Sequence, residues 1–234
     1  MADASLRAKV LSLVSATARV LSPARVEALS RTRFGSVLRS LINRAAPSGP
    51  VEVAIAAGPL KGARMRLDLR AEKYYWLGAY EPDTVATIQE MCEKGDVVYD
   101  IGANLGYTAL LFAKAVGKEG VVVAFEPLPE NAPRVEEHIA MNQVGARVTV
   151  EAMAISDATG TERFLVHELH GMGKIEGSSG RKEGYADVVE VPAISVDDYV
   201  FGRGGPTPAV IKLDIEGGGG KAISGMARVL ADVR

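Results

Sequence analysis

The chain has 234 residues, of which 47% are hydrophobic and 24% charged, enough apolar material for a sizeable core and too much for a chain disordered throughout. Lys and Arg number 27 against 29 Asp and Glu, so the net charge of -2 gives no general attraction to nucleic acid, and one cysteine, Cys92, excludes an internal disulfide and a zinc-finger framework. No apolar run approaches the roughly 20 residues of a membrane-crossing helix, and the composition predicts a soluble, cytoplasmic protein.

The charge is unevenly spread. Residues 1–50 carry Arg7, Lys9, Arg19, Arg25, Arg31, Arg33, Arg39 and Arg44 against Asp3 and Glu27, a local +6 that leaves -8 for the remainder. Leu6, Val10, Leu13, Val14, Thr17 and Leu21 recur at helical spacing, so residues 1–46 are expected to form two helices split at Ser22 and Pro23, one face apolar and the other basic. The first reading is a helical extension packed on the main domain or on a second copy of the chain. The second is contact with an anionic membrane surface, and the third a transit peptide. Pro47 to Pro50 mark a linker, and the main domain is expected over 51–234.

Strand-like runs at 51–56 and 63–69, joined through Gly58, Pro59 and Gly62, predict a hairpin. A helix is expected over 83–93, with Asp83 as its N-cap after Pro82 and with Val85, Ile88 and Cys92 on one side; Cys92 is read as a core residue. Then comes the most informative stretch. VVYDIG from residue 97 is a continuous apolar strand that turns at Gly102 into a helix over 106–116, and VVVAFEP at 121–127 is a second such strand, so the two form a right-handed βαβ unit. A second helix is expected over 133–142, with His138 on its solvated or core-edge side.

The glycines decide which nucleotide this unit suits. GANLG places Gly102 and Gly106 four apart, whereas the dinucleotide pattern requires a third glycine at 104, where Asn104 stands. Asp100 ends the first strand, where its charge would repel a pyrophosphate and attract an ammonium group. Glu126 ends the next strand, where a carboxylate accepts hydrogen bonds from ribose hydroxyls. S-adenosylmethionine, cationic and free of phosphate, fits these acids better than NAD does.

WLGAYEP at 76–82, VVYDIGANLGYTALLFA at 97–113, FEPLPEN at 125–131, AISDATG at 154–160, ISVDD at 194–198 and VIKLDIEG at 210–217 resemble the FkbM-type S-adenosylmethionine-dependent methyltransferases, in order and over about residues 55–230. The resemblance implies an α/β fold of the Rossmann-like class I methyltransferase type, a mostly parallel sheet with helices on both faces. It also implies methyl transfer to a hydroxyl oxygen of a small molecule or glycan. By position it puts Asp100, Gly102, Asn104 and Gly106 in the loop at the methionine side and Glu126 on the ribose. Ala154 and Ile155, at the end of the third strand, would flank the adenine, and Glu81 would lie near the cofactor's amino-acid end.

In VIKLDIEG the polar Lys212, Asp214 and Glu216 alternate with Ile211, Leu213 and Ile215, which puts the three on one strand face near the carboxyl end. Asp214 is the first candidate for the group that takes the acceptor's proton or orients its hydroxyl, and Glu216 the second. His167 and His170 are expected at the surface with no further metal ligand, and 171–186, rich in glycine and mixed charge, as a mobile loop. The helix after Gly217 to Gly220 is expected to start late, near Lys221. The family has about three further strands after 210–215, so the sheet is expected to present an unfinished edge unless the hairpin covers it. Two other classes stay open on the residues alone: a degenerate cofactor-binding module without turnover, and an NAD-dependent oxidoreductase, which Asn104 and Asp100 disfavour.

Overall fold

The computed structural model describes residues 2–20, 25, 32–167, 173–176 and 185–232. It divides into two compact units, Met1–Glu90 and Met91–Arg234.

Among the described residues the first unit opens with helices α1 (Ala2–Val20) and α2 (Arg33–Ala45), which pack on one another. Thr32 caps α2, its hydroxyl oxygen accepting from the Gly35 amide at 3.0 Å. Val14, Ala18, Ile42 and Ala45 are buried, whereas Leu13 is 70% exposed. The buried face of α1 is therefore rotated from the expected one: small Ala18 lets the partner helix approach, and Leu13 of the predicted face points away. Val37 and Leu41 are also exposed. Ala46 is fully buried and its carbonyl accepts from Arg70, and the Pro47–Pro50 stretch lies within this unit.

The hairpin forms as expected but with shorter strands, β1 (Val51–Ala54) and β2 (Arg64–Leu67), in which Met65 and Leu67 point inward while Arg64 pairs with Glu52 outside. It is a two-stranded sheet of its own and adds no strand to the parallel sheet. Helix α3 (Lys73–Leu77) stops at Gly78, whose φ of 67° is left-handed and whose α-hydrogen faces the Ala57 carbonyl so closely that a Cβ would overlap it. Helix α4 (Pro82–Met91) starts at Pro82, which suits a first helical position because no amide is needed there. Asp83 is accordingly a first-turn acid and not the N-cap, and Cys92 lies just past the helix, half-buried.

The second unit is built on a parallel sheet. Its strands are β3 (Val97–Ile101), β4 (Val121–Phe125), β5 (Val148–Glu151) and β10 (Val210–Leu213), in the order β10-β3-β4-β5. Helices α5 (Tyr107–Val116) and α6 (Ala132–Met141) make the crossovers. The first strand thus lies between the second and the last, and the chain reverses its winding there, which is the switch point where open α/β sheets take ligands. Val98 and Val122 are completely buried, as the uninterrupted apolar runs require. Among the described residues β10 has a neighbour on one side only, so it is an edge. This is a Rossmann-like arrangement.

A second sheet, ordered β6-β9-β7-β8, is inserted between β5 and β10: β6 (Ala154–Ile155), β7 (Gly160–His167), β8 (Gly173–Ile175) and β9 (Tyr185–Ile194). Two expectations change here. Ala154 and Ile155 do not end the third strand but form a strand of their own, paired with Ala193 and Ile194. Residues 171–186 are not wholly a loop, since Gly173–Ile175 pairs with Val166 to Phe164 and β9 begins at Tyr185. Residues 171–172 and 177–184 lie outside the described residues, as does His170.

A π-helical turn (Asp198–Gly202) and helices α7 (Gly219–Ser224) and α8 (Ala227–Asp232) complete the unit. Tyr99, Phe125 and Tyr199 meet edge to face with centroids 5.1 to 5.7 Å apart, and Ile155, Val196, Ala222, Met226 and Val229 close the core around them. Asp197 accepts from the Arg228 and Val229 amides at 3.0 and 2.9 Å, so this acid of the ISVDD motif caps α8 from outside the helix. Helix α7 begins at Gly219, two residues before Lys221, despite the helix cost of glycine. Its buried Ala222 anchors it to the core.

Candidate active site

The site lies at the carboxyl ends of β3, β4 and β10. Beyond β3 the chain turns through Gly102 at φ 83°, Asn104 at φ 51° and Gly106 at φ 77° before entering α5. Gly102 admits no side chain, because a Cβ would overlap the carbonyl of Asp214, which continues the β10 ladder through its amide to Ile101. Gly106 is closed in the same way by Val135 of α6. The two glycines of GANLG are thus required by close packing on both sides of the loop.

Asp100 is fully buried, yet its carboxylate is already matched. Oδ2 accepts from the Thr108 hydroxyl at 2.7 Å and Oδ1 lies 3.0 Å from the Lys212 ammonium. Asp100, read as drawing a ligand's ammonium, also faces a cation of the protein, because β10 pairs with β3 so that Lys212 stands opposite it. Lys212 also donates to the Gly102 carbonyl at 3.1 Å and stands 3.6 Å from Asp214 Oδ2.

Glu126 is 4% exposed at the end of β4. Its Oε2 accepts from the Asn104 amide at 2.7 Å, and Oε1 accepts from the Leu128 amide at 3.0 Å and from the Asn131 side chain at 3.4 Å. Burial pushes its pKa up to about 7, against the downward pull of these donors; the Asp100 charge adds to the rise. Oε2 takes one bond from the protein and has acceptor capacity for another, which a hydroxyl can fill. Asn131 also reaches the Asn104 side chain at 3.4 Å, so FEPLPEN and GANLG are tied together.

His138 departs from its expected place. It is fully buried, and its Nδ1–H donates to the Leu105 carbonyl at 2.7 Å, bracing the glycine loop from α6. Val135, His138 and Ile139 are all buried on one face of α6, a three-and-four spacing that was present in the sequence.

A cleft beside the loop is lined by Ile101, Gly102, Phe125, Pro127, Met153, Ala154, Ile155, Lys174 and Glu216, among others. It therefore brings Ala154 and Ile155 together with Gly102 and Glu216. Lys174, on β8 and 6% exposed, was not anticipated, because its strand was read as loop. Asp214 lies past the end of β10, its side chain 56% exposed, and Glu216 is half-buried. Glu81 belongs to the first unit, where its φ is 36° and its carboxylate accepts from the Thr84 hydroxyl at 3.1 Å. His167 ends β7, opposite Tyr185. Among the described residues no three His, Cys, Asp or Glu side chains gather as a metal site.

An adenosine-bearing cofactor fits this chemistry. The strand-end carboxylate Glu126 can take a ribose hydroxyl, the cleft walls of Phe125, Pro127, Met153, Ala154 and Ile155 are apolar, and the loop has no third glycine for a pyrophosphate.

The methyltransferase FkbM domain matches residues 100–234. Hexuronic acid methyltransferase AglP of Haloferax volcanii is 28% identical over 153 residues, 65% of this chain and 59% of the relative, so the chain spans less than two thirds of that protein's length. Among solved structures, methyltransferase FkbM from Methylobacillus flagellatus KT is 17% identical, with a TM-score of 0.41 over 70% of this chain and 40% of that one. A SAM-dependent O-methyltransferase from Thermotoga maritima is 15% identical, with a TM-score of 0.30 over 48% and 65%. The match over residues 100–234 covers the loop, Glu126, the inserted sheet and β10, and the chain belongs to the FkbM methyltransferase domain family.

Proposed function

We propose that the chain binds S-adenosylmethionine at the ends of β3 and β4 and transfers its methyl group to an oxygen of a sugar or small-molecule acceptor. The observation that carries this reading is the Glu126 carboxylate, held by the Asn104 and Leu128 amides at the end of β4, between Phe125 and Pro127 of the apolar cleft wall. The cofactor supplies an electrophilic methyl on sulfonium, whose C–S bond breaks as the acceptor's C–O bond forms.

The chain's own residues bind and align. Glu126 accepts from the ribose, the cleft walls exclude water around the base, and Gly102 lets the Asp214 backbone close on the loop. Asp214 takes the acceptor's hydroxyl proton or holds that hydroxyl in line, and Glu216, on the cleft wall, is the second candidate. AglP is named for a hexuronic acid, so sugar acids are the first acceptor class to try on this chain. Homo-oligomer formation and contact of residues 1–46 with a membrane surface stay as proposals beside this one.

The test is methyl transfer from labelled S-adenosylmethionine to a panel of glucuronic acid, galacturonic acid and neutral hexose glycosides. Labelled glycoside supports the reading. Binding of the cofactor with no transfer to any oxygen acceptor would favour a module without turnover.

A further inference from the structure

Lys212 joins two parts of the site. Its register opposite Asp100 brings it to the donor loop, and the alternation of the strand puts Asp214 on its own face. The ammonium is 3.0 Å from Asp100 Oδ1, 3.1 Å from the Gly102 carbonyl oxygen and 3.6 Å from Asp214 Oδ2. Two of these oxygens belong to β3 and to the loop after it that would hold the methyl donor. The third belongs to the residue assigned to the acceptor.

We propose that Lys212 is a positioning residue for methyl transfer, fixing the Asp214 carboxylate relative to the donor loop. The inference rests on the reading that Asp214 engages the acceptor. The ammonium donates to two immobile oxygens, since Asp100 is fully buried and Gly102 is wedged against the Asp214 backbone, and it pairs electrostatically with Asp214 at 3.6 Å. The Asp214 side chain is more than half exposed, so its own surroundings do little to select a rotamer. The Lys212 side chain, 12% exposed, is rigid enough to do so. A displacement of about 1 Å between reacting groups is enough to cost on the order of 100-fold in rate.

The bland alternative is that Lys212 only neutralises buried Asp100. The two roles separate in the double variant Lys212→Met/Asp100→Asn, which removes both charges and leaves no unpaired carboxylate inside. If neutralisation is the whole role, this variant recovers both folding and turnover. If Lys212 positions Asp214, the variant keeps a cooperative thermal transition, and turnover is read at saturating S-adenosylmethionine so that any weaker binding through Asp100 does not enter kcat. The variant's kcat on a uronic acid glycoside then stays about 10-fold or more below the parent value, and Asp214 occupies more than one rotamer in a crystal structure of the variant. An unchanged Asp214 rotamer, or parental kcat, overturns the inference.

Should the double variant not fold, Lys212→Arg keeps the charge but replaces a compact ammonium by a planar fork. It is expected to bind cofactor and to turn over at least several-fold more slowly, and parental kcat there overturns the inference as well. Asp214→Asn, run in parallel, identifies which claim fails. Full turnover in it removes Asp214 from the chemistry and this inference with it, whereas slow Asp214→Asn beside a fully active double variant removes Lys212 alone.

Discussion

Glu126 gives the sharpest quantitative expectation, because burial and function pull on its proton in opposite directions. In the folded protein its pKa is about 7, and in the unfolded chain it returns to the ordinary value near 4.5. Below about pH 4.5 both states hold the proton and the site costs nothing. As pH rises from there towards 7 the unfolded state releases its proton first, so folding stability falls, and above 7 the full cost of a buried carboxylate is present. At about 1.4 kcal/mol per pKa unit this cost is on the order of 3 kcal/mol. Glu126→Gln removes the titration while leaving every other group in place, so the difference in unfolding free energy between parent and variant isolates it. Urea unfolding of both at pH 5, 6, 7 and 8 should show the parent losing about 2 to 3 kcal/mol relative to the variant between the ends of the series, or roughly 4 to 12 °C in thermal midpoint for a chain of this size. Cofactor affinity should move the other way, rising with pH up to about 7, since ribose hydroxyls need the ionised acceptor. A stability difference that does not vary with pH would show that Glu126 is not held as described.

Other expectations concern the glycines and α6. A Cβ at Gly220 meets nothing within 4 Å and the residue is helical, so Gly220→Ala should stabilise by about 0.5 to 1 kcal/mol in urea unfolding. Gly225→Ala should instead destabilise by more than that, because its Cβ would overlap the Ser156 carbonyl. His138→Leu removes the donor to Leu105 and should cost about 1 to 3 kcal/mol of stability, with His138→Asn recovering part of it; equal stability of Leu and parent would deny the bracing role. Asp214→Asn should leave S-adenosylmethionine affinity unchanged by calorimetry while methyl transfer falls by about 100-fold or more.

The sheet and the glycine loop were legible because their signals are local. Two apolar runs separated by a glycine turn and a helix allow few other arrangements, and Asp100, Gly102 and Glu126 fall at strand ends by counting alone. What the sequence hid depends on register and partners. Lys212 showed its face but not its neighbour, since nothing near residue 212 tells that β10 will lie beside β3 with Lys212 opposite Asp100. The rotated face of α1 depends on where α2 lies against it, and either Leu13 or Val14 satisfies a helical period. β8 escaped because three residues between glycines and charges carry no alternation to read, and with it went Lys174. His138 is a different matter: its spacing from Val135 and Ile139 pointed inward, and only the habit of placing histidine at the surface outweighed it.

The central claim, an adenosine-type methyl donor seated on Glu126, is tested most directly by titration calorimetry of S-adenosylmethionine, S-adenosylhomocysteine and NAD against the 234-residue chain and against Glu126→Ala. The account predicts saturable binding of the first two, none of NAD, and a loss of about 10- to 150-fold in the variant, the range for a hydrogen bond to a charged group. NAD binding as tightly as S-adenosylmethionine, or a folded Glu126→Ala with unchanged affinity, would contradict it.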